Sequence, residues 1–302
     1  MSTNRKRLVY VVLGILIVSL IMWAIFRGSP TSVETAVAER GPMRVTVDAQ
    51  GKTRVRDKFT VTAPVSGIMA RIKLTEGDNI PRDYPVAEID PNPPIQRAPA
   101  APRSFNPYAA RVFSPVSGKV LRVFDKSERF VTAGTPILEI GDPENVEVVV
   151  DILSTEAVNI RPGAPMSIEN ERQGEPIRAR VTLIESQAVT KVSALGVEEE
   201  RVNVIGEFLS RKVPFGDNFH VDVSILVWES ADALRVPSSA LFRTGEEWSV
   251  FVVESGKARK RTVRVGHRNP DLAEILEGLS GSETVILHPT EQLADGSRVR
   301  TS

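Results

Sequence analysis

The chain has 302 residues, and its 38 basic and 38 acidic side chains cancel. Zero net charge removes the electrostatic case for nucleic acid as a partner. Having no cysteine excludes disulfides, thiol catalysis and Cys-ligated metal, and leaves the chain indifferent to the redox state of its compartment.

The length suffices for two or three small domains with their own cores. With 21 Pro, 20 Gly and few long helical periodicities, a mainly β fold of many short strands is expected. Leu8 to Phe26 is a 19-residue run without charge. At ~1.5 Å per residue it nearly spans a ~30 Å hydrocarbon core, so it predicts a transmembrane helix. Arg5, Lys6 and Arg7 precede it, which places residues 1–7 in the cytoplasm and everything after Arg27 outside. Ala36-Val37-Ala38 has the form of a signal-peptidase site, but it lies ten residues beyond the run, which is itself too long for a signal peptide. An uncleaved single-pass anchor is the expectation. No Cys follows it, so lipid anchoring in the bacterial lipoprotein manner is excluded.

Val33–Glu39, Met43–Ala49 and Lys52–Thr62 read as strands, with turns at Gly41-Pro42 and Gln50-Gly51. Then the same short text appears twice. The first copy reads Ala63-Pro64-Val65-Ser66-Gly67, continues through Arg71-Ile72 and closes with Pro85-Val86-Ala87-Glu88-Ile89. The second reads Ser114-Pro115-Val116-Ser117-Gly118, continues through Arg122-Val123 and closes with Pro136-Ile137-Leu138-Glu139-Ile140. The offset is 51 residues without a gap, and eight of the 27 positions from 64 to 90 are identical. Met69, Ile80 and Val86 meet Val120, Val131 and Ile137. Two copies are too few for a solenoid and suit one domain made of two similar halves. In each, Pro fits a strand start and Gly tolerates a positive φ at the bend.

Between the copies, residues 91–110 hold six Pro and five Ala. Pro costs a helix interior ~3 kcal/mol, so this stretch forms no helical hairpin. Val146–Leu153 is a dense Val/Ile strand, and Ser154–Ile160 reads as a short helix capped by Ser154. Further strands are expected at 165–169, 177–185, 201–209 and 218–228, with a loop at 186–200 whose acidic run, Glu198 to Glu200, is solvated. Strands at 248–253, 258–266 and 284–287 follow, and Asp295-Gly296-Ser297-Arg298-Val299 closes the chain.

The doubled Pro-Val-Ser-Gly text resembles the two half-motifs of a biotinyl/lipoyl-type domain. It resembles more closely the split form found in haemolysin-D-type periplasmic adaptors, the membrane fusion proteins. Val33–Gly41, Ser193-Ala194-Leu195-Gly196-Val197 and the phrases from Val236 to Val299 resemble the same family in the same order. The resemblance implies a membrane-proximal domain from 33–60 with 231–302, a lipoyl-like domain at 61–142 and a β-barrel domain at 143–230. It departs at 91–110, where relatives carry a long helical hairpin that reaches toward an outer-membrane channel.

No reactive grouping stands out. His220, His267 and His288 lack metal-ligand spacing, and Ser66 and Ser117 sit in turns. Trp228 and Trp248 fit strand patterns as core or domain-contact residues. A lipoate or biotin carrier needs a lysine at the turn between the halves; 91–110 holds Arg97 and Arg103 instead, and Lys119 is at a strand start. A membrane-anchored metal hydrolase would need a ligand triad that the sequence does not display. No catalytic, cofactor-binding or metal-ligating residue is therefore assigned, no cofactor is expected, and the chain is read as a non-enzyme. What the resemblance implies is an efflux or secretion adaptor anchored in the bacterial inner membrane. Its partners would be an inner-membrane transporter, ABC-type or proton-driven, and further copies of itself, with outer-membrane channel contact in question where the hairpin is missing. The alternative is a membrane-anchored structural or regulatory protein of the same fold without a pump.

Overall fold

The computed structural model describes residues 30–91, 109–169, 175–210 and 213–301. Leu8–Phe26 and nearly all of 91–110, including Arg97 and Arg103, lie outside them. Among the described residues no helix is long and apolar enough to cross a membrane. The fold is mainly β, and it forms two compact units: Val47–Val227, and the chain on either side of it.

The two repeats exchange strands. One four-stranded sheet runs Arg129–Val131, Gly67–Met69, Pro85–Asp90, Ala110–Phe113; the other runs Lys58–Thr62, Pro136–Gly141, Gly118–Val123, Asn79–Ile80. Each half thus lends one short strand to the sheet of the other. The pairing respects the repeat: Val131 stands opposite Gly67, and, 51 residues away in each strand, Gly118 stands opposite Ile80. Met69 opposite Ile89 likewise maps onto Val120 opposite Ile140. The equivalent apolar positions Met69, Ile80, Val86, Val120, Val131 and Ile137 are all buried in one core with Ile89, Leu138 and Ile140. Burying both sets in one place is what makes two weak halves a domain.

The glycines of the motif serve a different need from the one expected. Neither Gly67 nor Gly118 has a positive φ. A Cβ on Gly67 would lie 2.2 Å from the Asp90 carbonyl oxygen, and one on Gly118 would lie 3.0 Å from that of Gly141. Asp90 and Gly141 are themselves equivalent positions, so the same close backbone approach is built twice.

In the same unit, a barrel forms from Val146–Leu153, Pro165–Ile168, Ile177–Ile184, Glu198–Phe208 and parts of two long strands, Glu39–Val55 and His220–Pro237. The Thr53 N–H donates to the Phe219 carbonyl and the Asn218 N–H donates to the Thr53 carbonyl, closing the ring. Val47, Val55, Val148, Val150, Val204, Val223 and Ile225 fill it. A Cβ on Gly206 would lie 2.6 Å from the Met166 sulfur, so this glycine lets the methionine occupy the interior.

Several local expectations are corrected. Glu39–Val55 is one strand of 17 residues, without turns at Gly41-Pro42 or Gln50-Gly51. Gly51 is an in-strand residue opposite Val150, where a Cβ would press to 3.0 Å from the Val149 carbonyl. Val47 and Val55 enter the barrel core, and Lys58–Thr62 joins the sandwich. Ser154 is the first residue of a short helix, Ser154–Ala157, with Leu153 at the cap position and no side-chain cap, because Leu153 is still paired in its strand. The expected loop at 186–200 is a hairpin, with Val189–Val192 paired to Glu198–Arg201. Its acidic run is in the strand, fixed by partners such as Thr190, whose hydroxyl donates to Glu200 Oε1 at 2.7 Å.

The second unit holds Glu247–Glu254, Lys257–Arg268, Leu272–Glu277 and Thr284–Ile286. The start of the chain is sewn into it. Thr35–Val37 pairs antiparallel with Thr284–Ile286, and Thr31–Val33 pairs parallel with Val299–Thr301. Ala38, Leu234, Val236, Val250, Val252, Ile275 and Val285 form its core. Glu283 ties its last turn. The N–H groups of Ser280, Gly281 and Ser282 donate to its carboxylate at 2.8–3.1 Å, and Arg261 Nη1 lies 3.2 Å away. Burial pushes this carboxyl up, but the three N–H donors outweigh it and hold the pKa at about 2.

Two outcomes are expected. Gly67→Ala should destabilise the protein by about 1–3 kcal/mol, more than Gly118→Ala, as read from urea midpoints, because the first forces a Cβ against a backbone carbonyl that cannot yield. Glu283→Gln should cost about 1–3 kcal/mol at pH 7 by weakening the acceptor of three N–H groups. The Glu283 pKa is depressed on folding, so its stabilisation is complete above the usual 4.5 and is lost as pH falls toward about 2. The urea midpoints of wild type and E283Q should converge across that window.

Candidate functional site

The histidines, serines and tryptophans that could carry chemistry make structural contacts. His267 is not isolated: its Nδ1 lies 2.9 Å from Glu274 Oε2, which also accepts the His267 backbone N–H at 3.0 Å. Its ring stacks on Trp228 with centroids 4.1 Å apart. Gly266 makes room for this carboxylate, since a Cβ there would lie 2.4 Å from Glu274 Oε2. Trp248 is half-buried and packs on the core of its unit, with the guanidinium of Arg243 4.3 Å and that of Arg268 5.3 Å from its ring centroid. Ser66 Oγ accepts the Ala133 N–H at 3.0 Å, a tie between the two repeats. Lys119 is half-buried in Gly118–Val123, opposite Asn79 and Gly141. Among the described residues, no three His, Asp or Glu side chains converge as metal ligands would.

Two surface features of the Val47–Val227 unit stand out instead. The first is a cavity of about 930 Å³ between the outer wall of the barrel and the sandwich sheet. Its barrel side comes from alternate residues Gln50, Lys52 and Arg54, with Val149, Asp151 and Asn203 beside them; its sandwich side carries Leu121, Arg122 and Glu139. The acids on this lining are taken. Asp151 pairs with Lys191 at 2.8 Å, and Lys58 lies 3.2 Å from Asp217 and 3.6 Å from Glu139. Arg54 is drawn to Glu147, a buried carboxylate that also meets Arg56. Lys52 and Arg122 have no ion-pair partner among the described residues, so the cavity has an excess of cations.

The second feature is the hairpin of Val189–Val192 and Glu198–Arg201, which stands out from the barrel. Leu195 at its tip is 90% exposed and Val192 is 69% exposed, an unusual display for side chains of this size. The cavity is not legible in the sequence, because its residues come from seven separate stretches. The alternation of Gln50, Lys52 and Arg54 was the available sign of a polar outer wall.

The comparisons with known proteins agree with this architecture. The RND MFP barrel-sandwich hybrid domain matches residues 57–140, and the YknX C-terminal permuted SH3-like domain matches 233–301. The putative efflux system component YknX of Bacillus subtilis (strain 168) is 25% identical over 170 residues, which are 55% of this chain and 45% of that protein. The matched segment thus spans less than half of that relative. The multidrug resistance protein MdtA of Proteus mirabilis (strain HI4320) is 21% identical, over 89% of this chain and 80% of its own length. Among solved structures, MacA from Actinobacillus actinomycetemcomitans shares the fold, with a TM-score of 0.64 at 15% identity over 85% of this chain and 99% of that one. Repeats that clasp into a barrel-sandwich hybrid, a barrel beside them and an SH3-like carboxy-terminal unit are the features this chain shares with the membrane fusion protein (adaptor) family.

Proposed function

We propose that this protein is a non-catalytic periplasmic adaptor of an efflux or secretion transporter, joining an inner-membrane pump to an exit route. The clasped repeats carry this reading. They form a lipoyl-type sandwich, yet the stretch between them, 91–110, holds no lysine for a cofactor to be attached to. A sandwich of this kind without its attachment atom is a building block. The two relatives named as an efflux component and a multidrug resistance protein support the same reading.

In this proposal Leu8–Phe26 is a single anchor in the inner membrane, with the amino terminus cytoplasmic and the rest periplasmic. The membrane-proximal module comprises residues 33–46 with 231–302, the lipoyl-like module 61–142, and the barrel module 143–230 with the strand segment 47–55. The partner is an inner-membrane transporter, ABC-type or proton-driven, and the adaptor acts as a homo-oligomer. Contact with an outer-membrane channel through a helical hairpin is not part of the proposal, because six prolines among residues 91–110 disfavour a helix there.

Cross-linked pull-down from membranes, together with deletion of the gene, tests this. An inner-membrane transporter should be captured, and deletion should raise sensitivity to at least one exported compound. Unchanged sensitivity to every compound tested, with no transporter captured, would leave only a structural anchor of the same fold. An intact mass shifted by lipoate or biotin would overturn the non-catalytic reading in favour of a carrier.

A further inference from the structure

The cation-rich cavity and the apolar hairpin are left over when the fold has been accounted for, and their chemistries match. On the hairpin, residues two apart share a face. Lys191 reaches Asp151 at 2.8 Å, and Arg201 Nη2 donates to the Asp151 carbonyl at 3.0 Å. The face bearing Lys191, Glu199 and Arg201 is therefore turned toward the chain's own barrel. The opposite face carries the cross-strand pairs Val192 with Glu198 and Thr190 with Glu200. Both of these carboxylates are exposed, and neither has an ion-pair partner among the described residues. The outward face is thus acidic and apolar, with Leu195 at its tip. It points away from Asp151, which lines the chain's own cavity, so it cannot fill that cavity itself.

We propose that the outward face of this hairpin docks in the cavity of a neighbouring copy. Glu198 and Glu200 meet the unpaired Lys52 and Arg122, and Leu195 and Val192 cover Leu121 and Val149. The occupant is a second copy because this chain carries both halves of the complementary surface at different places, each with the charge the other lacks. Such a contact is head-to-tail, and it closes into a ring when the rotation between copies permits. The proposal rests on the oligomeric adaptor reading and names the contact that would assemble it.

Charge exchange tests it, using the full chain in detergent and mass by light scattering. Wild type should assemble. E198K/E200K and K52E/R122E should each fall to the mass of one chain, and the variant with all four changes should recover the assembled mass. Far-ultraviolet circular dichroism should show all of them folded. An unchanged mass in both parents, failure of the combination to recover, or a wild type that stays a single chain overturns the docking. An independent check uses the absence of native cysteine. Oxidised L195C/Q50C should run as a ladder of covalently joined chains, and a single-chain band counts against the contact. The two readings fail separately. Transporter capture with no effect of charge reversal rejects the docking alone, whereas charge-dependent assembly with no transporter captured rejects the adaptor reading alone.

Discussion

The sandwich depends on how closely two backbones can approach. Gly67 lies so near the Asp90 carbonyl that any side chain would collide with it, and Gly118 makes a looser version of the same approach to Gly141. That proximity lets the strands after each Pro-Val-Ser-Gly turn pair with the strands that close each repeat. It also positions the lent strands, Asn79–Ile80 and Arg129–Val131, over the opposite half. Neither repeat could bury its own apolar face alone; the exchange is what gives both a common core.

The barrel solves a different problem, that of closing a sheet of short strands. Here glycine again makes the space, with Gly206 leaving room for Met166 inside. On the outer wall the buried carboxylate of Glu147 is held by Arg54 from the neighbouring strand and by Arg56 just past that strand's end, which compensates a charge that would otherwise be costly. The strand Glu39–Val55 supplies Arg54 and core residues such as Val47 and Val55, and Arg56 follows directly after its end. Its outward residues form part of the cavity wall, so packing inside and charge outside are set by the same alternation.

The molecule's polar side chains largely serve geometry. Glu283 gathers three backbone N–H groups, Ser66 ties one repeat to the other, and the His267–Glu274 contact sits where Gly266 permits it. What is not spent on geometry lies at the surface: unpaired cations at one place, and unpaired carboxylates with bare apolar side chains at another. In a chain of zero net charge, such local imbalance is the basis for specific association.

Much of this was legible from the residues alone. The doubled text at a 51-residue offset, the Val-rich strand at 146–153 and the closing phrases of the chain identified a split sandwich, a barrel and a carboxy-terminal β unit, because repeats and alternation are local signals. Other features depended on what lies opposite a residue in space. Gln50-Gly51 has the composition of a turn, but the strand at Val149 and Val150 keeps it extended. The stretch 186–200 has the polarity of a loop, but cross-strand partners make it a hairpin. The glycines of the repeat read as bends, while their purpose is closeness to a carbonyl found only after folding. The cavity likewise exists only where separate strands converge, since an ion pair is a matter of distance and the spare charges appear only once the others have found partners.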